Sequence, residues 1–138
     1  MSVKDHSDDI TTSHGDVESM LRDSIWAQNL DSVALDHVRS QITEREVGPG
    51  EYVCHQGYPA DHWIGVIQGL VKLSVLSPEG KAITLTGVNA GGWFGEGSLL
   101  KDEPRRYDGI AVGQTRVALM PRVTFTWLLD NSIAFNRF

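Results

Sequence analysis

The chain has 138 residues, of which 41% are hydrophobic and 22% charged, with a formal net charge of −6 and a single cysteine. This length and composition fit one globular domain with one core. The acidic balance argues against a nucleic-acid surface, because neutralising phosphates requires clustered Lys and Arg. A single cysteine, Cys54, excludes an internal disulfide and also a cysteine-ligated iron–sulfur cluster or zinc ribbon built from this chain alone. No run of about 18 apolar residues is present and the first residues are polar, so we expect a cytoplasmic protein without a membrane partner.

The first part of the chain predicts an acidic tail followed by two helices. Residues 1–18 contain few apolar side chains and many acidic ones, so we expect a disordered tail. Beyond this tail, apolar residues recur every three to four positions, the helical period, which predicts helices over about 19–28 and 32–41. Asp31 or Ser32 is placed to cap the second helix.

After Arg45 the pattern changes to short strands separated by turns rich in Gly, Pro and Asp. The candidate strands are Thr43–Val47, Tyr52–Cys54, Trp63–Gln68, Leu70–Leu76, Lys81–Val88, Trp93–Phe94, Tyr107–Val112 and Arg116–Pro121. A closing helix is predicted over Thr124–Leu129, and we expect Phe135 and Phe138 to form an exposed apolar end. Residues 19–138 are therefore predicted to form a mainly β domain with flanking helices, an antiparallel β-roll or jelly-roll barrel of about eight strands.

The most informative segment is rich in glycine. Gly95 and Gly97 can take positive φ and expose peptide N–H groups, and Ser98-Leu99-Leu100 predicts one helical turn whose free N–H groups face the same spot. That arrangement favours an anion. Glu96 is predicted to accept hydrogen bonds from a sugar hydroxyl. One segment would then hold both a phosphate and a ribose.

Strand alternation distinguishes two neighbouring arginines. Arg106 shares its parity with Ile110 and Val112, whereas Arg105 shares its parity with Ala111. Because the apolar side of a strand is expected to face inward, Arg106 is predicted to reach the anion and Arg105 to face solvent.

An earlier hairpin strand supplies a predicted apolar wall. Ile83 and Leu85 alternate with Thr84 and Thr86. A nucleobase would stack against the apolar pair.

The order of these parts resembles the cyclic-nucleotide-binding domain of the cyclic-AMP-receptor/Fnr family of bacterial transcription regulators, over about residues 20–138. The matching landmarks are Gly48-x-Gly50, Gly57, Gly69 with Val71 and Leu73, Glu79-Gly80-Lys81, Gly91, Phe94-Gly95-Glu96 and Arg106. The resemblance implies that Glu96 binds a ribose 2′-hydroxyl, that Arg106 pairs with a cyclic phosphate, and that the ligand is cyclic AMP or another cyclic nucleotide. It also implies a homodimer in the full-length protein and DNA binding through a helix-turn-helix domain absent from this chain.

The chain departs from the family pattern directly after Arg106. The family usually has Ser or Thr and then Ala where this chain has Tyr107 and Asp108. Tyr107 removes a small hydroxyl from the phosphate site, and the Asp108 carboxylate, on the parity of Arg106, would neutralise the guanidinium or repel a phosphate. The predicted ligand-binding residues are Gly95, Glu96, Gly97, Ser98, Leu99, Arg106, Tyr107, Ile83 and Leu85.

Other interpretations stay open. The glycines also fit the corners of a small barrel, and Arg106 also fits a surface ion pair with Asp102, Glu103 or Asp108. The same barrel serves as a module of kinase or channel regulators. A cupin-like metal enzyme would need inward-facing ligands, but His55 and His62 are predicted to lie in a solvated loop. We expect a ligand-sensing regulatory domain with a small-molecule effector, no catalytic residues and no metal site.

Overall fold

The structure, a computed structural model, describes residues 17–132 and Phe135. Three helices come first, namely α1 (17–23), α2 (Ile25–Gln28) and α3 (Ser32–Gln41). The strands are β1 (Thr43–Val47), β2 (Tyr52–Cys54), β3 (His62–Gln68), β4 (Leu70–Leu76), β5 (Ala82–Asn89), β6 (Trp93–Phe94), β7 (Asp108–Ala111) and β8 (Thr115–Pro121). Helix α4 (Glu96–Lys101) lies between β6 and β7, and helix α5 (Arg122–Asn131) follows β8. The described helices include none that is long and apolar enough to cross a membrane.

The strands form two four-stranded sheets with antiparallel pairing throughout, in the orders β1-β8-β3-β6 and β2-β7-β4-β5. An interior core lies between them, with Val47, Val53, Ile64, Val66, Val71, Leu73, Phe94, Ala111 and Val117 buried. Both sheets contribute to this core, as two packed layers require. The predicted mainly β fold with flanking helices is confirmed.

A second core covers the outer face of the first sheet. It contains Leu21, Trp26, Ala27, Val38, Ala60, Trp63, Leu99, Met120, Phe125, Leu128 and Phe135. Strand β3 serves both cores, because Ile64 and Val66 face the interior while Trp63 faces the helices. A strand that is buried on both faces has an almost continuous apolar sequence.

The helical boundaries are close to those predicted. Helix α3 has the predicted bounds, and Asp31 caps it by accepting a hydrogen bond from the Ala34 N–H at 2.8 Å. The first predicted helix is divided at Ser24, whose backbone is extended and whose hydroxyl donates to the Met20 carbonyl at 2.7 Å. Residues 17 and 18, predicted as part of the tail, are helical, and the rest of the predicted tail lies outside the described residues.

The prediction that Phe135 is exposed is wrong. Its side chain is 5% exposed and packs edge-to-face against Trp26 and Phe125, with 5.6 Å between ring centroids in each pair. The outer core supplies aromatic surface on which this ring is buried. Phe138 lies outside the described residues.

Gly65 and Gly97 differ in how much space their surroundings leave for a side chain. A Cβ at Gly65 would overlap Met20 Cε and lie 2.9 Å from the Trp93 ring, whereas a Cβ at Gly97 in α4 would meet nothing within 4 Å. We therefore expect Gly65→Ala to destabilise the fold by about 1–3 kcal/mol. The matched Gly97→Ala should stabilise it by up to about 1 kcal/mol, because alanine has a higher helix propensity than glycine. Urea unfolding measures both, and equal effects would contradict this packing.

Candidate anion-binding site

The predicted helical turn in the glycine-rich segment is present as α4. Its N-cap residue Gly95 has φ 95° and ψ 5°, a left-handed conformation that glycine adopts without strain. Because no side chain caps this helix, its first backbone N–H groups remain open to a ligand. The side chains of Ser98 and Leu99 are buried, so these residues can offer a ligand only their backbone.

Arg105 is the buried cation of this region. Only 5% of the residue is exposed, and its Nη2 donates to the His62 carbonyl at 2.5 Å. Its Nη1 is also buried and has no hydrogen-bond partner within the described part of the chain. Gly95 lies so close that an added Cβ would overlap Nη1. The guanidinium is therefore fixed between the start of β3 and the N-terminus of α4.

The loop before β3 holds the backbone of Arg105. The Arg105 N–H donates to the Tyr58 carbonyl at 2.8 Å, and the Arg105 carbonyl accepts from the Gly57 N–H at 2.7 Å. Gly57 has φ 87°, so a residue with a side chain would be strained at this turn.

The prediction that Arg106 faces the interior and Arg105 faces solvent is wrong. The Arg106 side chain is 67% exposed and pairs with Glu103 at 3.1 Å. This is the surface ion pair that the sequence left open as an alternative.

The error came from the choice of inward face. Ala111 is buried in the interior core, and a Cβ at Gly109 would lie 3.0 Å from Cys54 Sγ, so the small residues of β7 face inward. The larger Val112 is more than half exposed. The interior beside Gly109 and Ala111 has no room for large side chains, so the small residues of β7 face inward, and Arg105, just before the strand, shares their parity.

Tyr107 shares this inward side. Its ring packs against Phe94 at 6.3 Å and borders the interior core. Burial raises the pKa of the Tyr107 phenol, the Cys54 group adds to the rise, and Arg105 opposes it. Asp108 lies on the opposite parity and accepts from the Gln56 N–H at 2.8 Å. The conflict was predicted between Asp108 and Arg106, whereas the buried arginine is Arg105, on the other parity.

Glu96 faces the outer core in this structure. Its Oε1 accepts a hydrogen bond from Trp63 Nε1 at 3.1 Å. Trp63 is buried on the outer face of the first sheet, away from the interior that holds Tyr107. A contact between Glu96 and a ribose remains a prediction.

The residues of the predicted apolar wall lie outside the buried cores, and their contact with a nucleobase remains a prediction. Ile83 and Leu85 are about half exposed on β5, the edge strand of the second sheet. The register shifts between β4 and β5, so that Thr86 lies opposite Leu73, Thr84 lies opposite Ser74, and Leu85 has no partner. An extra residue of this kind interrupts the simple alternation on which the prediction depended.

Metal chemistry finds no support in this region. Within residues 17–132 and Phe135, no group of three or more His, Cys, Asp and Glu side chains is placed to hold a metal ion. His55 is stacked on Tyr52 at 4.3 Å. The carbonyl of His62 accepts from Arg105.

Comparison with known proteins assigns the family. The sequence profile of the cyclic nucleotide-binding domain matches residues 44–132, more than half of the chain. The chain belongs to the cyclic nucleotide-binding domain family. The matched range includes both sheets, α4 and Arg105.

Individual relatives are regulatory proteins. The chain is 27% identical over 113 residues to a cAMP-dependent protein kinase regulatory subunit of Blastocladiella emersonii, covering 82% of this chain and 28% of the relative. It is 26% identical over 104 residues to the CRP-like cAMP-activated global transcriptional regulator of Mycobacterium tuberculosis, covering 75% of this chain and 46% of the relative. The N-terminal domain of a transcriptional regulator from Streptomyces coelicolor superposes with a TM-score of 0.73 and 27% identity, covering 86% and 85% of the two chains. This chain thus spans less than half the length of these two curated relatives.

Sequence reasoning identified the glycine-rich segment of this cyclic nucleotide-binding domain but missed Arg105. The available signal was the pair Gly109 and Ala111, which share the parity of Arg105. Small residues mark a face that packs closely against another strand.

The imidazole beside Arg105 makes stability depend on pH. Burial lowers the pKa of His62 from its ordinary value of 6.5, Asp61 opposes this, and Arg105 and Arg45 lower the pKa further. The unfolded chain therefore binds more protons than the folded domain between the two pKa values. The contribution of His62 to stability is complete above about pH 6.5 and is lost as the pH falls towards the folded pKa.

When the pH is lowered from about 7.5 to about 5, we expect the free energy of unfolding to fall less in His62→Gln than in the parent chain. Urea unfolding at the two pH values measures this difference. His37→Gln, which removes an imidazole on α3, is the matched control variant. Parallel curves for the parent and His62→Gln would contradict the assignment.

Proposed function

We propose that this domain senses a cyclic nucleotide or a closely related phosphate-bearing effector, and that Arg105 binds its phosphate. The observation that carries the proposal is a buried guanidinium with no carboxylate bonded to it in the described part of the chain. A buried charge without a counter-ion costs several kcal/mol, because desolvation is not offset by an opposite charge. A ligand anion would supply that opposite charge.

The Cys54 thiol and the Tyr107 phenol do not serve as the missing counter-ion. Burial raises the pKa of the Cys54 thiol and of the Tyr107 phenol, although Arg105 lowers both. Desolvation therefore outweighs the attraction of the arginine, and both groups are neutral near pH 7. A bound phosphate is negatively charged near pH 7, so it can act as the counter-ion of Arg105.

The backbone around Gly95 supports a phosphate rather than an arbitrary anion. Arg105 Nη1 lies against Gly95, and the uncapped N–H groups of α4 begin at the next residues. A phosphate has several oxygens, so one can meet the guanidinium while others accept from these amides. The family match to cyclic nucleotide-binding domains supports the same ligand class.

We further propose that the domain is the effector-binding part of a cytoplasmic bacterial transcription regulator and has no catalytic role. The CRP-like relative and the Streptomyces coelicolor domain support this context. The net charge of −6 fits DNA contact through another domain, in a full-length homodimer. Ligand binding would act by favouring one arrangement of that dimer.

A kinase-regulator module is the second candidate, and the Blastocladiella emersonii relative favours it. The two candidates differ in what the ligand controls. The full-length protein, with and without cyclic AMP, separates them: effector-dependent DNA retention in a gel-shift assay supports the regulator. Release of a protein kinase catalytic subunit on adding cyclic AMP, without DNA binding, would support the alternative.

The ligand proposal predicts that Arg105 contributes to the affinity for a cyclic nucleotide and that Arg106 does not. Arg105→Met should weaken cyclic AMP or cyclic GMP binding by roughly tenfold to a hundredfold, the range of one charge-assisted hydrogen bond. Arg106→Met is the matched control, because Arg106 is exposed and paired with Glu103. Calorimetry on the three proteins gives the affinities.

A stability measurement accompanies this test. Arg105→Met removes an unpaired buried charge, so the ligand-free variant should remain folded with little loss of stability. Parent-like affinity in Arg105→Met, or loss of binding in Arg106→Met alone, would overturn the assignment of Arg105.

A further inference from the structure

A separate cavity of about 190 Å³ opens beside Arg105 and His62. The side chains of Val53, Ile64 and Leu119 form its apolar part. The residues that line the cavity do not include Gly95 or any residue of α4. The cavity is therefore distinct from the glycine-rich segment that we propose to bind phosphate.

The charged groups of this cavity are mostly cationic. Arg45 and Arg105 both line it, together with a single carboxylate, that of Asp61. Asp61 has no bond to Arg105, whose Nη2 donates to the His62 carbonyl instead. In a chain with a net charge of −6, two guanidinium groups on one small cavity are a local reversal of sign.

The position of Arg45 is fixed by the backbone of β2. Its Nη2 donates to the Tyr52 carbonyl at 3.2 Å and to the Val53 carbonyl at 3.0 Å. A guanidinium has further N–H groups that these two bonds do not use. Arg45 and Arg105 also act on the same imidazole, since both lower the pKa of His62.

An aromatic stack lies at the rim of this cavity. The His55 ring is stacked on Tyr52 at 4.3 Å and makes a tilted contact with Tyr58 at 4.9 Å, and His55 and Tyr58 both line the cavity. The cavity thus combines an apolar interior, an aromatic rim and two cations. This is the composition of a site that takes a small ligand with one anionic group.

We propose that this cavity is a second anion site, which binds a small organic carboxylate or phosphate between Arg45 and Arg105 with its apolar part on Val53, Ile64 and Leu119. The volume of about 190 Å³ is below the roughly 300–1,000 Å³ of pockets that enclose drug-sized ligands, so the ligand is smaller than a nucleotide. Because Arg105 also faces Gly95, occupancy of this cavity and of the phosphate-binding segment would be thermodynamically linked. The site itself does not depend on cyclic nucleotide binding.

The test uses butyl phosphate and butyrate as probes, with butyramide as the uncharged control and inorganic phosphate as the anion without an apolar part. Titration of the full chain is followed by NMR of the histidine imidazoles. We expect the two organic anions to shift the His55 and His62 signals saturably. Butyramide and inorganic phosphate should bind with at least tenfold lower affinity. The stronger of the two organic anions identifies phosphate or carboxylate as the preferred group.

Arg45→Gln should lower the affinity for the organic anions by roughly tenfold to a hundredfold, the range expected for one charge-assisted hydrogen bond. Arg39→Gln is the matched control, because Arg39 is an exposed arginine on α3 that pairs with Glu18 and Asp36. Arg45→Gln should retain cyclic AMP binding, whereas Arg105→Met should weaken both ligands. Because the two variants affect the two ligands differently, the experiment shows separately whether the second site is wrong and whether the proposed cyclic nucleotide site is wrong.

Several outcomes would overturn the second site. Absence of saturable shifts at millimolar butyl phosphate and butyrate would do so, as would equal binding of butyramide. Parent-like binding by Arg45→Gln would remove Arg45 from the site and with it the proposal. Equal binding of inorganic phosphate would refute the role of the apolar residues.

Discussion

The burial of the Arg105 guanidinium is the constraint on which this site depends. Water cannot solvate the cation there, so the protein holds it with backbone groups: the His62 carbonyl meets Nη2, and Gly57 and Tyr58 fix its main chain. These bonds orient the guanidinium but bring no negative charge. The structure therefore maintains an unneutralised cation, whose cost a ligand anion can offset.

Small residues make this arrangement possible. Gly95 allows Nη1 to lie against the backbone before α4, and Gly109 leaves room for Cys54 in the interior. Burial outweighs the attraction of the neighbouring cation in the pKa values of Cys54 and Tyr107. An ion pair formed at a buried position is stronger than one at the surface, because less solvent screens it.

The sequence predicted the order and type of elements well, because their signals are local. Asp31 is a local cap, and the change from helical to strand period after Arg45 reflects short-range geometry. Side-chain direction at the site was harder to predict. The apolar side chains of β7 indicated one face, but Gly109 and Ala111 occupy the crowded one, which is a property of the neighbouring strand. Likewise, the bulge at Leu85 depends on pairing with β4.

The same guanidinium borders two different environments, and this suggests how a sensor of this kind could combine signals. On one side lie Gly95 and the open amides of α4, and on the other lies the cavity shared with Arg45. An anion on either side reduces the electrostatic gain available to an anion on the other, since both interact with one positive charge. Glu96 links the first side to Trp63, whose ring packs against Phe135 at 5.7 Å. A ligand that draws Glu96 away from Trp63 would thus alter the outer core, in which Phe135 is buried.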